Sequence, residues 1–173
     1  MNKILEHLKN NSALYLIIVV VLIIIAILVF NPNTNKETID YDTSMFTVIN
    51  NKEAIELFNK KEPSILFIGR KTCSASQEMV PNMQIALAKY GFRVHYIELT
   101  DLDKESEDFK KLVELLNFEY TNDGVTKPFG EFIGVTPMFI VIKDGEMVFG
   151  YLGTMSTTVI GTVAKQYGVA SNE

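Results

Sequence analysis

The longest apolar stretch of the chain lies close to its start, in residues 13–30. None of these eighteen residues is charged, and fifteen of them are Ile, Leu, Val or Phe. At about 1.5 Å per residue the stretch would reach roughly 27 Å as a helix, close to the roughly 30 Å hydrocarbon core of a bilayer. Because no small-residue cleavage site follows it, the pattern predicts an uncleaved transmembrane helix rather than a signal peptide.

The charges on either side of this apolar stretch favour one orientation. Lys3 and Lys9 precede it, whereas Asp40 and Asp42 follow it. Positive charge tends to stay on the cytoplasmic side of a membrane helix. We therefore expect residues 1–12 in the cytoplasm and the rest of the chain on the extracytoplasmic side, in a single-pass protein of the cell membrane.

The segment after the predicted helix, residues 31–45, is polar, lacks hydrophobic periodicity and contains Pro32. This composition is typical of a linker without a fixed fold. Residues 46–173 follow and carry the patterns of a folded domain. The predicted organisation is therefore a cytoplasmic N-terminus, a membrane anchor, a linker and one exported domain.

Within residues 46–173 the hydrophobic pattern alternates between the period of strands and the period of helices. Strands are predicted at residues 46–49, 65–68, 92–99, 138–142 and 147–152, and helices at residues 52–60, 73–90, 105–116 and 156–167. The uninterrupted apolar run at 65–68 is typical of a central strand buried on both faces. The Asp-Gly pair at 144–145 predicts a hairpin between the last two strands, and residues 120–134 are predicted to form a loop. These features indicate an α/β fold with a mixed central sheet flanked by helices.

Composition narrows the possible partners. The 173 residues include 16 basic and 21 acidic ones, a net charge of −5, and the acidic residues form no block. This balance argues against nucleic acid as a partner. His95 has no second ligand at metal-binding spacing, and Met79 and Met83 have the spacing of helix core residues. We therefore expect neither a metal nor another cofactor.

Two landmarks in the sequence resemble the thioredoxin superfamily. Cys73 follows the predicted central strand, opens a long helix and is followed eight residues later by Pro81, which is expected to kink that helix. Thr136 and Pro137 precede a strand and an Asp-Gly hairpin. The resemblance covers residues 46–168 and implies a thioredoxin-like fold with a reactive cysteine and a cis-proline. The anchor and the long insert before the proline also resemble thioredoxin-like accessory proteins of bacteriocin export in Gram-positive bacteria.

The resemblance also implies where a substrate would bind. A cis Pro137 would place the Thr136 backbone beside Cys73, where it would pair with an extended peptide by strand addition. Thr72, which stands where the family has a tryptophan, would border the same surface. The alternative is that Thr136 and Pro137 form only a tight turn at the start of a strand.

The chain departs from the family at the residues that support dithiol chemistry. The family's Cys-x-x-Cys motif becomes Cys73-Ser74-Ala75-Ser76, so that Ser76 replaces the resolving cysteine. Phe67 stands where many thioredoxins have a buried aspartate. Because the chain has a single cysteine, ordinary thioredoxin turnover is excluded. Exchange would instead proceed through a mixed disulfide that a second thiol releases.

The position of Cys73 at the start of a helix favours a reactive thiolate. The helix dipole and the free backbone N–H groups of the first turn stabilise negative charge there. Arg70 and Lys71 would add positive potential, and Ser76 would donate a hydroxyl near the sulfur. The alternative is a relic, in which the module kept its fold for binding and lost its catalysis.

Two functional hypotheses follow from these observations. The first is a membrane-anchored monothiol thiol-disulfide oxidoreductase or isomerase that acts through Cys73 on exported proteins or peptides containing cysteine. The second is a non-catalytic thioredoxin-like binding or chaperone subunit of an envelope or export complex. A soluble cytosolic redox protein would conflict with the predicted anchor.

Overall fold

The computed structural model describes residue 17, residues 19–23 and residues 41–170. The chain divides into two compact units, Met1–Thr38 and Ile39–Glu173. In the first unit, residue 17 and residues 19–23 are helical. The other residues of the predicted anchor and the predicted cytoplasmic N-terminus lie outside the described residues. No helix in the described part of the chain is both long and apolar enough to cross a membrane.

The second unit is built around a five-stranded mixed sheet. Its strands are β1 (Thr47–Val48), β2 (Ser64–Gly69), β3 (Val94–Glu98), β6 (Met138–Lys143) and β7 (Glu146–Leu152), and a two-stranded sheet contains β4 (Glu119–Asn122) and β5 (Val125–Pro128). The spatial order in the large sheet is β1-β3-β2-β6-β7. Strands β1 and β2 run parallel to β3, whereas β6 is antiparallel to both β2 and β7. The predicted mixed α/β sheet is confirmed.

Helices cover both faces of this sheet. In the second unit they are α1 (Asn51–Leu57), α2 (Ser74–Tyr90), α3 (Glu107–Leu115) and α4 (Thr157–Gln166), with short 3-10 helices at Leu99–Asp101 and Phe129–Phe132. Helix α2 packs with α4, and α1 packs with α3. Each pair covers one of two separate hydrophobic clusters.

Strand β2 is the centre of the sheet and is buried along its whole length. Phe67 pairs with Tyr96 on β3 and with Phe139 on β6. Because side chains alternate along a strand, Ile65 and Phe67 enter the cluster under α2 while Leu66 enters the cluster on the other face. The predicted central strand is confirmed. The loop that leads into α2 begins at the carboxyl end of this strand.

Helix α2 begins directly after Cys73 and ends at Gly91, whose φ of 66° is the left-handed conformation that glycine adopts at helix ends. The helix continues through Pro81. Met79 and Met83 on its inner face are fully buried. These two methionines are therefore core residues, as their spacing indicates.

The segment predicted as a loop, residues 120–134, contains secondary structure, and this prediction is wrong. Strands β4 and β5 pair antiparallel around a turn at Asp123 and Gly124, whose φ values are 49° and 79°. Tyr120 packs edge-on against Phe129, with ring centroids 5.0 Å apart. Each strand has four residues, which is too short for alternation to stand out from a loop pattern.

Residues 41–45, assigned from sequence to a linker without a fixed fold, contact the domain. Tyr41 Oη lies 2.8 Å from Tyr96 Oη, 55 positions away. Gln84 Nε2 donates a hydrogen bond of 2.7 Å to the carbonyl oxygen of Asp42, 42 positions away. The packed unit therefore begins before the boundary expected at residue 46. A polar segment gives no local signal of partners so distant. The rest of the predicted linker lies outside the described residues.

Candidate active site around Cys73

Cys73 is the N-cap residue of α2 and has an extended backbone, with φ −92° and ψ 120°. Its backbone N–H donates to the carbonyl of Arg70 and its own carbonyl accepts from the N–H of Gln77, each at 2.9 Å. Its side chain makes no capping hydrogen bond. The sulfur is part-buried and lies where the N–H groups of the first helical turn remain free to stabilise negative charge.

The loop before β6 brings a second residue to the sulfur. The Thr136–Pro137 peptide bond is cis. Cys73 Sγ donates a hydrogen bond of 3.3 Å to the carbonyl oxygen of Thr136, 63 positions away in the chain. The structure thus places Cys73 and Thr136 together at the surface. Thr72, next to Cys73, is exposed to solvent.

Ser76 lies under the sulfur in the first turn of α2. It is fully buried, and its Oγ accepts a hydrogen bond of 3.3 Å from the backbone N–H of Arg70. The hydroxyl hydrogen remains available to a second acceptor. Ser76 therefore connects the loop before Cys73 to the helix after it, and its hydroxyl also acts on the thiol.

Burial and hydrogen bonding act in opposite directions on the pKa of the Cys73 thiol. Partial burial of the sulfur is the largest single influence and raises this pKa. The Thr136 side chain, the backbone N–H and hydroxyl of Ser76 and the backbone N–H of Ala75 stabilise the thiolate. Together they outweigh the burial and leave the pKa below its ordinary value. The charges of Arg70 and Lys71, which the sequence suggested would help, are not among these causes.

Thr136 presents two different groups to the sulfur. Its carbonyl accepts from the neutral thiol, while its buried Oγ1 has no hydrogen-bond partner within the described residues. A carbonyl does not stabilise a thiolate, since both groups are acceptors. The Thr136 side chain lowers the Cys73 pKa, so its hydroxyl favours the thiolate.

The two basic residues before Cys73 have different surroundings. Arg70 is part-buried, and its Nε is buried without a hydrogen-bond partner in the described part of the chain. Lys71 is exposed, and its backbone is held on both sides. Its N–H donates to Glu98 Oε2 at 3.1 Å, and its carbonyl accepts from Gln77 Nε2 at 2.9 Å.

Glu98 is a residue near the site that the sequence reasoning missed. It ends β3, next to the end of β2, and its carboxylate also accepts from the Tyr96 hydroxyl at 2.6 Å. One signal in the sequence could have indicated it. Sites in α/β sheets gather at the carboxyl ends of parallel strands, and Glu98 occupies such an end.

A cavity of about 670 Å³ lies at the ends of β1 and β3 and does not include Cys73. Its lining includes the carboxyl-bearing residues Glu53, Glu98, Asp101, Asp103 and Asp108. His95 is not part of this lining. Its Nδ1 lies 3.3 Å from the carbonyl oxygen of Ile65. Of the charged groups around the cavity, Glu98 also contacts the loop before Cys73.

No family model matches the chain, and no curated protein sequence matches it. Among solved structures, one similar chain comes from a study of how the thiol of yeast mitochondrial 1-Cys peroxiredoxin is resolved by the glutathione and thioredoxin systems. The match has a TM-score of 0.50 and 18% identity, and covers 71% of this chain and 96% of that one. The fold is thioredoxin-like. A mutant thioredoxin from Halobacterium salinarum matches with a TM-score of 0.50 and 11% identity, over 70% of this chain and 88% of that one.

Proposed function

We propose that the chain is a membrane-anchored, extracytoplasmic monothiol protein that exchanges disulfides with exported proteins or peptides through Cys73. The observation that carries this proposal is the setting of the sulfur. It stands at the start of α2, 3.3 Å from the Thr136 carbonyl, and hydrogen bonds to the thiolate outweigh its burial and lower its pKa. A thioredoxin-like fold with a stabilised thiolate at this position suits thiol redox chemistry.

The exchange needs a disulfide in the partner and a thiol that afterwards releases Cys73. The Cys73 thiolate attacks one sulfur of a partner disulfide, the S–S bond breaks, and the other sulfur leaves as a thiolate that takes a proton. A mixed disulfide with Cys73 results. In isomerisation, a different thiolate of the partner then attacks the partner's sulfur and releases Cys73 as a thiolate. In reduction, an external thiolate instead attacks Sγ of Cys73 and releases the partner's sulfur as a thiolate, and a second external thiol then frees Cys73 as the external disulfide forms.

The surface beside the sulfur supports recognition of an extended chain. Thr136 lies next to Cys73, and the neighbouring Val135 side chain is 45% exposed. Backbone groups of Thr136 would pair with the partner while Val135 contacts an apolar side chain, which is the usual division of labour in strand addition. A partner cysteine in such a strand would lie against Sγ.

One observation favours a second candidate function, a non-catalytic binding or chaperone subunit of an envelope or export complex. Phe67 is fully buried and stacks on Tyr96, with ring centroids 5.5 Å apart. An aromatic core thus fills the strand position that would otherwise offer a carboxyl group beneath the site. We also propose a relation to bacteriocin export, which is compatible with either function.

Trapping of mixed disulfides in cells tests the two functions against each other. Cells that express the full chain are quenched with acid, alkylated and analysed by mass spectrometry for proteins joined to Cys73. Monothiol exchange predicts discrete partners, which Cys73→Ala loses. Ser76→Cys introduces a second thiol close to Cys73. This thiol should attack Cys73 Sγ and release the partners. A strain with Cys73→Ala that is fully functional would contradict the catalytic function and support the binding function.

Protease treatment of intact protoplasts tests the proposed location. The domain should fractionate with membranes and be cleaved by added protease. A variant that lacks residues 1–30 serves as control and should be protected in the cytoplasm. Protection of the full chain would contradict an extracytoplasmic domain.

A further inference from the structure

The loop between β2 and Cys73, residues 70–72, is held by hydrogen bonds to its backbone. Ser76 and Gln77 bind it from α2. Glu98 binds it from β3, through a bond of 3.1 Å between Oε2 and the N–H of Lys71. The first two contacts move with the helix, whereas Glu98 belongs to the sheet. Besides its covalent link to β2, the loop is therefore held to the sheet by Glu98.

The carboxylate of Glu98 is itself held by several donors. Oε2 also accepts from the Tyr96 hydroxyl at 2.6 Å. Oε1 accepts from the Thr100 hydroxyl at 3.1 Å and from the Thr100 N–H at 3.4 Å. Hydrogen bonds to an ionised acceptor are stronger than those between neutral groups. The carboxylate thus has a fixed orientation from which to hold Lys71.

A second tyrosine extends this group of hydrogen bonds to the start of the domain. The Tyr41 hydroxyl lies 2.8 Å from that of Tyr96, and the two rings pack edge to face at 6.1 Å. Tyr41 also covers the end of β2, where a side chain at Gly69 would meet its hydroxyl. Burial, foremost, and also the charges of Glu98 and Cys73 raise the Tyr41 pKa to about 12, while the bond to Tyr96 lowers it. The tyrosine therefore stays neutral beside the site.

We propose that Glu98, supported by Tyr96 and Tyr41, is a positioning residue that sets the reactivity of Cys73 by holding the preceding loop. The proposal rests on the proposed function, because a positioned thiolate matters only to a chain that uses one. Its physical basis is the short range of the hydrogen bonds that stabilise the thiolate. If the loop and Cys73 shift, the sulfur moves relative to the Thr136 hydroxyl, which belongs to a different loop.

The sign of the effect separates positioning from simple electrostatics. A negative charge near a thiol disfavours the thiolate, so loss of Glu98 acting only as a charge would lower the Cys73 pKa. Loss of a positioning contact would raise it, since the thiolate would lose donors. The two roles therefore predict opposite shifts of the same quantity.

The test is the pH dependence of Cys73 alkylation by iodoacetamide in the full chain in detergent micelles. Because the chain has one cysteine, every alkylation reports on this thiol. Glu98→Ala should raise the midpoint of the profile and slow alkylation at neutral pH by roughly three- to tenfold. Glu98→Gln keeps an oxygen that accepts from Lys71 and should restore most of the rate. The matched control is Glu114→Ala, an exposed glutamate on α3, which should leave the profile unchanged.

An unchanged or lowered midpoint in folded Glu98→Ala would overturn the proposal, and thermal unfolding of each variant establishes that it is folded. If Glu98→Ala does not fold, Tyr96→Phe decides. It removes one donor to Oε2 without a change in ring volume and should slow alkylation about twofold, whereas an unchanged profile would overturn the proposal. Alkylation needs no protein partner, so failure to trap mixed disulfides would contradict the proposed function without affecting this result.

Discussion

At the residue scale, Cys73 gains its properties from hydrogen-bond donors rather than from neighbouring cations. Ala75 and Ser76 supply donors from the first turn of its own helix, and Thr136 supplies a hydroxyl from a distant loop. Arg70 and Lys71 are adjacent in sequence, but neither contributes to the shift. A positive charge close by in the sequence is therefore a poor guide to which groups act on the sulfur.

The lowered pKa of Cys73 gives the stability of the domain a defined pH dependence. Because the folded pKa is below the unfolded one, the thiolate contributes stability that is fully present above the unfolded pKa, about 8.5, and is lost as the pH falls through the folded pKa. The free energy of unfolding of the wild type minus that of Cys73→Ala should therefore increase as the pH rises through this window. Urea unfolding at several pH values measures it, and a difference that shrinks with rising pH would contradict the assignment.

Removal of the Ser76 hydroxyl should affect both reactivity and stability. Ser76→Ala deletes a donor to the thiolate, so the Cys73 pKa should rise. It also leaves the Arg70 N–H without its acceptor, at a cost of about 1–2 kcal/mol. Alkylation profiles and urea unfolding measure the two effects. Ser74→Ala, at an exposed position in the same helical turn, is the matched control, and equal behaviour of the two variants would argue against a role for the hydroxyl.

At the element scale, the inserted hairpin β4–β5 and the 3-10 helix that follows it are built onto α3. The N–H of Gly130 donates to the carbonyl of Leu116 at 2.8 Å, and a side chain at Gly130 would meet the backbone of Val113. This close approach requires glycine. The loop expected from sequence is therefore a packed element that lies in close contact with the backbone of α3.

Gly130→Ala should destabilise the domain because its Cβ would collide with the Val113 carbonyl, which cannot move independently of α3. We expect a loss of about 2 kcal/mol or more in free energy of unfolding, measured by urea denaturation. Glu131→Ala, at the exposed next position, should change it little. Equal stability of the two variants would mean that the 3-10 helix does not depend on close contact with α3.

At the scale of the whole molecule, the segment that precedes the domain contributes to it. Tyr41 belongs to a stretch whose sequence predicts a linker without a fixed fold, yet it bonds to Tyr96 and covers the end of β2. This contact brings the segment after the predicted anchor close to the site. The structured unit therefore includes residues that hydrophobic pattern alone assigns to the tether.

Two substitutions at Tyr41 separate its hydrogen bond from its packing. Tyr41→Phe should lower the free energy of unfolding by about 1 kcal/mol through the lost bond, and Tyr41→Ala by about 2–3 kcal/mol through the lost ring as well. Thermal or urea unfolding of the full chain measures both. If Tyr41→Ala matches the wild type, the segment is an unstructured tether, as its sequence suggests.

The sequence by itself determined the order of the four helices and of the five strands of the large sheet, the central position of β2 and the presence of a single cysteine at the start of α2. These features follow from hydrophobic periods and turn residues, which are local. A family resemblance, rather than the pattern, placed Thr136 beside Cys73, and the structure brings the two within 3.3 Å. Only the tertiary structure decided that Glu98 holds the Lys71 backbone and that Tyr41 joins the domain. These contacts join residues 27 and 55 positions apart, and the chain carries no local signal of a partner that folding alone brings near.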